Sequence, residues 1–267
     1  MLKILFIGDI NGKIGREAVK KVLPKLKKEH KIDLVIANAE NIAHGKGLTE
    51  PTLKEMLDAG VDWFTSGDHA FDNIKHLDLF DKEFPLLRPA NFPPTAPGKG
   101  YSLIGLEKHK ILLINVIGRV FMAFDYDCPF RKIEEILAIE GLSLKNVSAI
   151  LVDIHAEATS EKVALGHYLD GRVSAVLGTH THVMTADEKI SSKGTAYLTD
   201  VGMVGASDGV IGVDKENIIK IFLTQIKQPH VIPESGPAIF NAVLTNIDEK
   251  TGRATSIKKV IKYLNIN

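Results

Sequence analysis

Short apolar runs recur along this chain of 267 residues, and most of them end at glycine or at a polar side chain. Runs of this length that are rich in Val, Ile and Leu are typical of buried β-strands. Two further segments, 238–246 and 254–266, alternate weakly and predict an antiparallel pair. The other predicted strands cover residues 2–7, 33–37, 63–65, 111–117, 149–154, 173–177 and 195–199.

Segments with a helical spacing of apolar residues lie between the predicted strands. In segment 15–30 the apolar residues share one stripe, and Pro24 is expected to kink or divide this helix. Thr49 is a suitable N-cap for a second helix, which Gly60 closes. Shorter helices are predicted at residues 77–84, 129–141 and 160–168, and an irregular loop at the proline- and glycine-rich residues 88–100.

The alternation of strands and helices predicts an α/β layered fold. No internal repeat or linker divides the sequence, so we expect one domain over residues 1–267. Lys plus Arg and Asp plus Glu both number 33, which argues against a nucleic-acid binder that relies on broad electrostatic attraction. Without a signal-peptide pattern or an apolar run long enough to cross a bilayer, we expect a cytoplasmic protein with no membrane partner.

Two histidines, His180 and His182, stand two positions apart just after the predicted strand 173–177. In extended backbone alternate side chains point to the same side, so both imidazoles are expected to face one point. Imidazole is a good ligand for zinc, iron and similar ions near neutral pH. Taken alone, this short motif is equally compatible with two surface histidines in a threonine-rich loop.

Other carboxylates and histidines also follow predicted strands, at the edge where α/β sheets bind ligands. A single acidic residue there is often an N-cap or turn residue, but that explanation does not account for the whole set. Three carboxylates and three imidazoles exceed the ligands of one tetrahedral ion, and they suit two ions roughly 3.5–4 Å apart that share a carboxylate. The set comprises Asp9, Glu40, Asp68, His155, His180 and His182.

A dinucleotide site is the alternative interpretation of the first strand end. Gly8, Gly12 and Gly15 follow that strand, and Glu40 ends the next one. However, the glycine spacing does not match the GxGxxG pattern, and Asp9 would place a negative charge where a pyrophosphate binds. We therefore favour the metal site.

Several segments together resemble the calcineurin-like metallophosphoesterases, and within them the YmdB-like 2′,3′-cyclic-nucleotide phosphodiesterases. The two most specific are HAEATSEK at 155–162 and GTHTHV at 178–183. The resemblance implies an α/β/β/α sandwich of the metallophosphoesterase type and a metal-dependent phosphoric diester hydrolase. The other segments that carry it are LFIGD at 5–9, AEN at 39–41, RPAN at 88–91 and TDVG at 199–202.

The resemblance also implies roles for individual residues. Two divalent or mixed-valence ions, of iron, manganese or zinc, would be held in two groups, and His69 would be the general acid. The substrate would be a small nucleotide or another phosphodiester, most plainly a 2′,3′-cyclic nucleotide that is opened to a 3′-nucleotide. RNA ends are a further substrate class that the resemblance allows. A homo-oligomer is also expected. The implied metal ligands are Asp9, Glu40, Asn41 and His182 for one ion, and Glu40, Asp68, His155 and His180 for the other.

Position 68 departs from the family, which usually has Asn there. Asp68 adds a negative charge, which should tighten ion binding and weaken the ions as Lewis acids. This departure leaves open a second hypothesis, a regulatory protein that binds a nucleotide or RNA end with little turnover.

Other polar residues are candidates for supporting roles. Asp72 is a candidate to orient His69, and an ordinary turn carboxylate is the alternative. Three basic residues lie near predicted strand ends, Arg16, Lys46 and Arg119. Each is a candidate phosphate contact, and the alternative for each is a solvated surface residue.

Overall fold

The computed structural model describes residues 1–82, 84–106, 108–139 and 147–267, which form two β-sheets with helices on their outer faces. The helices are α1 (Gly12–His30), α2 (Glu50–Asp58), α3 (Pro129–Leu137), α4 (Thr159–Tyr168) and α5 (Lys215–Thr224), with a 3₁₀ helix at Ile74–Phe80. The strands are β1 (Leu2–Ile7), β2 (Asp9–Ile10), β3 (Leu34–Asn38), β4 (Trp63–Thr65), β5 (Tyr101–Leu106), β6 (His109–Ile117), β7 (Ala149–His155), β8 (Ala175–Thr179), β9 (Lys189–Ile190), β10 (Ala196–Leu198), β11 (Met203–Ala206), β12 (Gly236–Ile247) and β13 (Ala254–Ile266).

The two sheets each contain a group of neighbouring parallel strands. Within the described residues, the first sheet has the order β2-β11-β12-β1-β3-β4, with β13 paired to β12, and the second has the order β5-β6-β7-β8-β10-β9. In the first sheet β3 runs parallel to both β1 and β4, and in the second β7 runs parallel to both β6 and β8. Parallel strands place their carboxyl ends at one edge, and that edge carries the ligand site in open α/β sheets.

Buried apolar side chains fill three layers. Between the sheets, Ile4 and Phe6 of β1 belong to one cluster with Leu151 of β7 and Leu177 of β8. A second cluster lies between the first sheet and helices α1 and α2, and a third between the second sheet and helices α3 and α4. This α/β/β/α order confirms the predicted sandwich.

Of the two outcomes predicted for Pro24, a kink or a division of the first helix, division is wrong. Helix α1 begins at Gly12, three positions earlier than predicted, and continues through Pro24 to His30. Pro24 lies on the exposed face, whereas Leu23 and Leu26 beside it are buried. A proline on that face leaves one carbonyl for water to hydrate, and packing of the apolar stripe against the sheet holds the helix together.

Other elements differ at their bounds or were not predicted. In place of the predicted helix at 77–84, a 3₁₀ helix covers Ile74–Phe80, with non-helical backbone at His76, and position 83 lies outside the described residues. Helix α3 ends at Leu137, and the predicted extension to positions 140 and 141 lies outside the described residues. The antiparallel pair of β12 and β13 is confirmed. No helix in the described part of the chain is long and apolar enough to cross a membrane.

Candidate metal centre

Every residue that the sequence singled out as a metal ligand lies at the carboxyl ends of the parallel strands. His155 is the last residue of β7 and His180 directly follows β8. Glu40 comes two residues after β3, and Asp68 three residues after β4. Residues 180–182 continue from β8 into the same region, and Asp9 follows β1. The fold thus assembles in space residues that are up to 173 positions apart in sequence.

One group of ligand atoms comes from Glu40, Asp68, His155 and His180, and these atoms all lie within 4.8 Å of one another. The Nε2 atom of His155 is 3.1 Å from Oε2 of Glu40 and 3.0 Å from Oδ1 of Asp68. The Nδ1 atom of His180 is 3.4 Å from the same oxygen of Asp68. Two carboxylates and two imidazoles at this spacing form a donor set for one transition-metal ion.

A second group consists of Asp9, Glu40 and His182, so that Glu40 belongs to both groups. Asn41 lies at this group, with Nδ2 2.8 Å from Oε1 of Glu40 and 3.1 Å from Nε2 of His182. In this orientation the amide NH₂ donates to both neighbours. To act as the predicted ligand, Asn41 would present its amide oxygen, which requires the flipped orientation of the side chain.

Two observations show that the residues fit bound cations. Among the described residues, the Oδ1 atom of Asp9 has no hydrogen-bond partner, although it is fully buried. Gly67 lies so close to the first group that a Cβ there would be 2.2 Å from Nε2 of His155 and 2.3 Å from Oε2 of Glu40. A buried carboxylate oxygen that lacks a partner is costly unless a cation accompanies it, and any larger residue at position 67 would intrude on the ligand atoms.

The electrostatics of the two groups are those of a cation site. Burial raises the pKa of Asp9 above the ordinary range. Burial opposes ionisation of Glu40 and Asp68 as well, but the neighbouring imidazoles, His155 first, outweigh it and lower the pKa of both carboxyls. Burial likewise disfavours the charged form of His155, yet the surrounding carboxylates, Glu40 first, raise its pKa well above the usual value. The excess of carboxylates thus stabilises positive charge at the centre.

Hydrogen bonds hold His155 and His182 with one ring nitrogen directed at the groups. The Nδ1 atom of His155 is 2.9 Å from Oγ1 of Thr179, which donates to Asp153 at 2.8 Å. Burial raises the pKa of Asp153 to about 7. The Nδ1 atom of His182 donates to the carbonyl of Ile211 at 2.9 Å. Partners of this kind fix the tautomer and the ring orientation of metal-binding histidines.

The expectation that His180 and His182 lie in extended backbone is wrong. Strand β8 ends at Thr179, and both histidines have positive φ, 103° at His180 and 65° at His182. Such backbone is rare for residues other than glycine. Because of this turn, the two imidazoles do not face one point, and each contributes to a different ligand group.

His69, the predicted general acid, lies beside the groups. Its backbone N–H is 3.3 Å from Oε2 of Glu40, and its Nε2 atom is 3.8 Å from Oδ2 of Asp68. Its Nδ1 atom donates to Oδ2 of Asp72 at 2.8 Å, which is the contact considered for Asp72 from the sequence.

A cavity of about 380 Å³ opens onto both ligand groups. Lys46 lines it, but Arg16 is held by Glu55 and by the carbonyl of Ile42, and the side chain of Arg119 is exposed. The lining residues that the sequence interpretation did not assign to the site are Asn11, Gly45, Glu157, Thr181, Ile211, Val213, His230 and Ile232.

Glu157 is the missed residue that sequence reasoning had the means to find. Its Oε2 atom is 3.3 Å from Nε2 of His180, whereas the other nitrogen of that ring faces Asp68. The signal was its place two residues after His155 inside the HAEATSEK run. Residues 211–232 offered no comparable signal, because their approach to the centre depends on tertiary packing.

Comparisons with known proteins agree with this architecture. The family model described as "YmdB-like protein" matches residues 5–260. A Bacillus subtilis protein named "2′,3′-cyclic-nucleotide 2′-phosphodiesterase" is 45% identical over 97% of both chains. A structure of a hypothetical protein from Thermus thermophilus has a TM-score of 0.90 at 42% identity, with 98% of this chain and 99% of the other covered. A structure described as a novel phosphatase from Mycoplasma pneumoniae has a TM-score of 0.91 at 35% identity, covering 100% and 94%.

Proposed function

Since the chain belongs to the YmdB-like family of metallophosphoesterases, we propose that it is a two-metal phosphodiesterase that opens 2′,3′-cyclic nucleotides at the 2′ bond to give 3′-nucleotides. The observation that carries this proposal is the pair of ligand groups joined by Glu40, with His69 next to Glu40 and Asp68. The name of the Bacillus subtilis relative supports the choice of substrate.

The proposal assigns Asp9, Glu40, Asn41 and His182 to one ion, and Glu40, Asp68, His155 and His180 to the other. Two such ions supply Lewis acidity at the phosphoryl oxygens and make water a stronger nucleophile at neutral pH. Carboxylate and imidazole ligands suit iron, manganese or zinc. Elemental analysis of the protein as purified identifies which of them it carries.

The protein's own contribution to bond cleavage is a positioned proton. The 2′ oxygen leaves as an alkoxide, which is a poor leaving group unless it is protonated. His69 in its imidazolium form is the candidate donor, because Asp72 accepts its Nδ1–H and leaves the second proton, on Nε2, on the side of the ligand groups. Positioned proton donors contribute about 10²- to 10⁴-fold to such reactions.

The cavity is lined by both polar and apolar side chains. Lys46 and His230 offer groups suited to a phosphate, and Ile211, Val213 and Ile232 offer apolar contacts suited to a nucleoside. The volume of about 380 Å³ is in the range of small-ligand pockets. These features favour a small nucleotide as the substrate over a long nucleic acid.

The test is turnover of 2′,3′-cyclic AMP by metal-loaded protein, with chromatographic separation of the 2′ and 3′ products and His69→Gln as the matched variant. We expect 3′-AMP as the product and a large loss of rate in the variant. Formation of 2′-AMP would contradict the assigned bond. Tight binding without turnover, in protein shown to hold both ions, would instead establish the regulatory alternative that Asp68 keeps open.

A further inference from the structure

A buried ion pair lies directly behind the ligand groups without belonging to them. Lys162, in α4, and Asp200, just after β10, are both fully buried, and Nζ of Lys162 is 2.7 Å from Oδ2 of Asp200. Replacing a buried ion pair by well-packed apolar residues is often neutral or stabilising, so stability alone is a weak reason for its presence. Its contacts indicate another role.

Asp200 connects the histidine loop to the segment that follows β10. Its Oδ2 atom accepts a hydrogen bond from the backbone N–H of Thr181 at 3.0 Å, and its Oδ1 atom accepts one from the N–H of Gly202 at 2.8 Å. Thr181 is the residue between the two ligand histidines. The carboxylate therefore holds the midpoint of the loop that carries His180 and His182.

The loop requires such restraint, because both histidines have positive φ. Residues in sparsely populated backbone regions keep that conformation only where their surroundings impose it. Two backbone bonds from the same segment add to the restraint, from Val201 N–H to the carbonyl of Gly178 at 2.8 Å and from Met203 N–H to the carbonyl of His182 at 3.2 Å.

Lys162 pairs with Asp200 and fixes the position of its carboxylate. Without this cation, the carboxylate would be a buried charge held only by two backbone N–H groups, and water would be drawn towards it. The stem of Lys162 also packs over Gly178, where an added Cβ would lie 3.1 Å from Cδ of the lysine and 1.8 Å from the carbonyl oxygen of Thr199. Lys162 therefore packs directly against the end of β8, where only glycine leaves room for its side chain.

We propose that Lys162 and Asp200 are positioning residues that hold the N–H of Thr181 and thereby direct His180 and His182 to two separate metal ions. The inference rests on the two-metal function proposed above. The pair fixes the geometry of the loop, and it contacts neither the substrate nor the metal ions.

The experiment separates positioning from stability with three variants, Lys162→Met, Asp200→Asn and the double variant. Thermal unfolding is measured on metal-free protein, and Mn²⁺ affinity and stoichiometry by equilibrium dialysis. Each single change should destabilise the fold, because it leaves a buried charge without its partner. The double variant should recover most of the lost thermal stability, since neither charge remains.

Metal binding should not recover in the same way. A single amide oxygen at position 200 cannot serve both the Thr181 and Gly202 N–H groups as the carboxylate does, so the loop loses one restraint. We expect Mn²⁺ affinity in the double variant to stay about 10- to 100-fold below wild type, the usual effect of losing residues that orient metal ligands. Arg172→Met is the control, because it breaks an exposed ion pair with Glu134 away from the centre.

A double variant that recovers both thermal stability and wild-type Mn²⁺ affinity would overturn the proposal. If the double variant does not fold, Mn²⁺ affinity is measured on the folded fraction of Lys162→Met instead. Wild-type affinity in that variant would also overturn the proposal. Failure of the proposed function is a distinct result, because in that case the wild-type protein itself would not bind two Mn²⁺ ions.

Discussion

The Nδ1 atom of His69 lies 2.8 Å from Oδ2 of Asp72, while the Nε2 atom of the same ring lies 3.8 Å from Oδ2 of Asp68. The imidazole therefore connects a carboxylate outside the ligand groups to a carboxylate inside them. Because Asp72 is three residues from His69, the contact is local and does not depend on the metal ligands. The two residues can therefore be altered without removing a ligand.

Replacing Asp72 by Asn should lower kcat by about 10- to 100-fold, because His69 loses the acceptor that fixes its tautomer and orientation. Metal content and KM should change little, since Asp72 belongs to neither ligand group. Steady-state kinetics with 2′,3′-cyclic AMP, together with metal analysis of both proteins, provides the measurement. Unchanged kcat would show that Asp72 is an ordinary turn carboxylate.

Glu40→Gln should reduce activity more than His182→Ala. Glu40 takes part in both ligand groups, whereas His182 takes part in one. The amide also removes a negative charge from a buried site, so both ions lose an anionic ligand. The comparison needs kcat and the number of bound ions for each variant. A Glu40→Gln protein that keeps two ions and most of its turnover would show that Glu40 does not bridge.

Removal of the metals should destabilise the fold measurably. The three carboxylates of the two groups are buried or nearly so, and a ligand present at 100 times its Kd contributes about 2.7 kcal/mol per site. We expect chelator treatment to lower the unfolding temperature, and addition of Mn²⁺ or Fe²⁺ to restore it at two ions per chain. No more than one ion per chain after anaerobic reloading would contradict the two-metal centre.

The exposed pair of Glu134 and Arg172 should contribute little to the free energy of unfolding, and it should do so only above acidic pH. The guanidinium beside Glu134 lowers the pKa of that carboxyl to about 2, from an ordinary value of 4.5. A lowered folded-state pKa means that the stabilisation is complete above pH 4.5 and disappears as the pH falls to about 2.

Because solvent screens this exposed pair, Glu134→Gln should cost at most about 0.5 kcal/mol at pH 7. Urea unfolding at pH 7 and at the lowest pH where the protein remains folded measures both values. A larger cost at the lower pH would contradict the sign of the effect.

The ligand positions could be inferred from sequence because they depend on a simple regularity. Parallel strands end at one edge, so residues such as Glu40 and His155 that follow short apolar runs must converge there. The turn at His180 and His182 could not be inferred in this way, because Thr181 between them is held by Asp200, which is 19 positions away in sequence. For the same reason the contact of Ile211 with His182 was not visible in the sequence.

Asp68→Asn introduces the residue that the family resemblance leads us to expect at this position, and it tests what the extra carboxylate does. Oδ1 of Asp68 is 3.0 Å from Nε2 of His155 and 3.4 Å from Nδ1 of His180, so the carboxylate lies at the middle of its group. Asn has nearly the same size, so packing should be preserved. Affinity for the ion of that group should fall, because a neutral amide oxygen is a weaker ligand than a carboxylate.

At saturating metal the same change should maintain or raise turnover. With one negative charge fewer, the ions polarise phosphate and water more strongly, and the acidic limb of the pH–rate profile should move to lower pH. The measurement is kcat against pH for both proteins, with metal occupancy determined on the same samples. If Asp68→Asn abolishes turnover while both ions remain bound, Asp68 acts in the reaction itself and does not only tune the ions. Its position 3.8 Å from Nε2 of His69 would then indicate a part in the proton transfer.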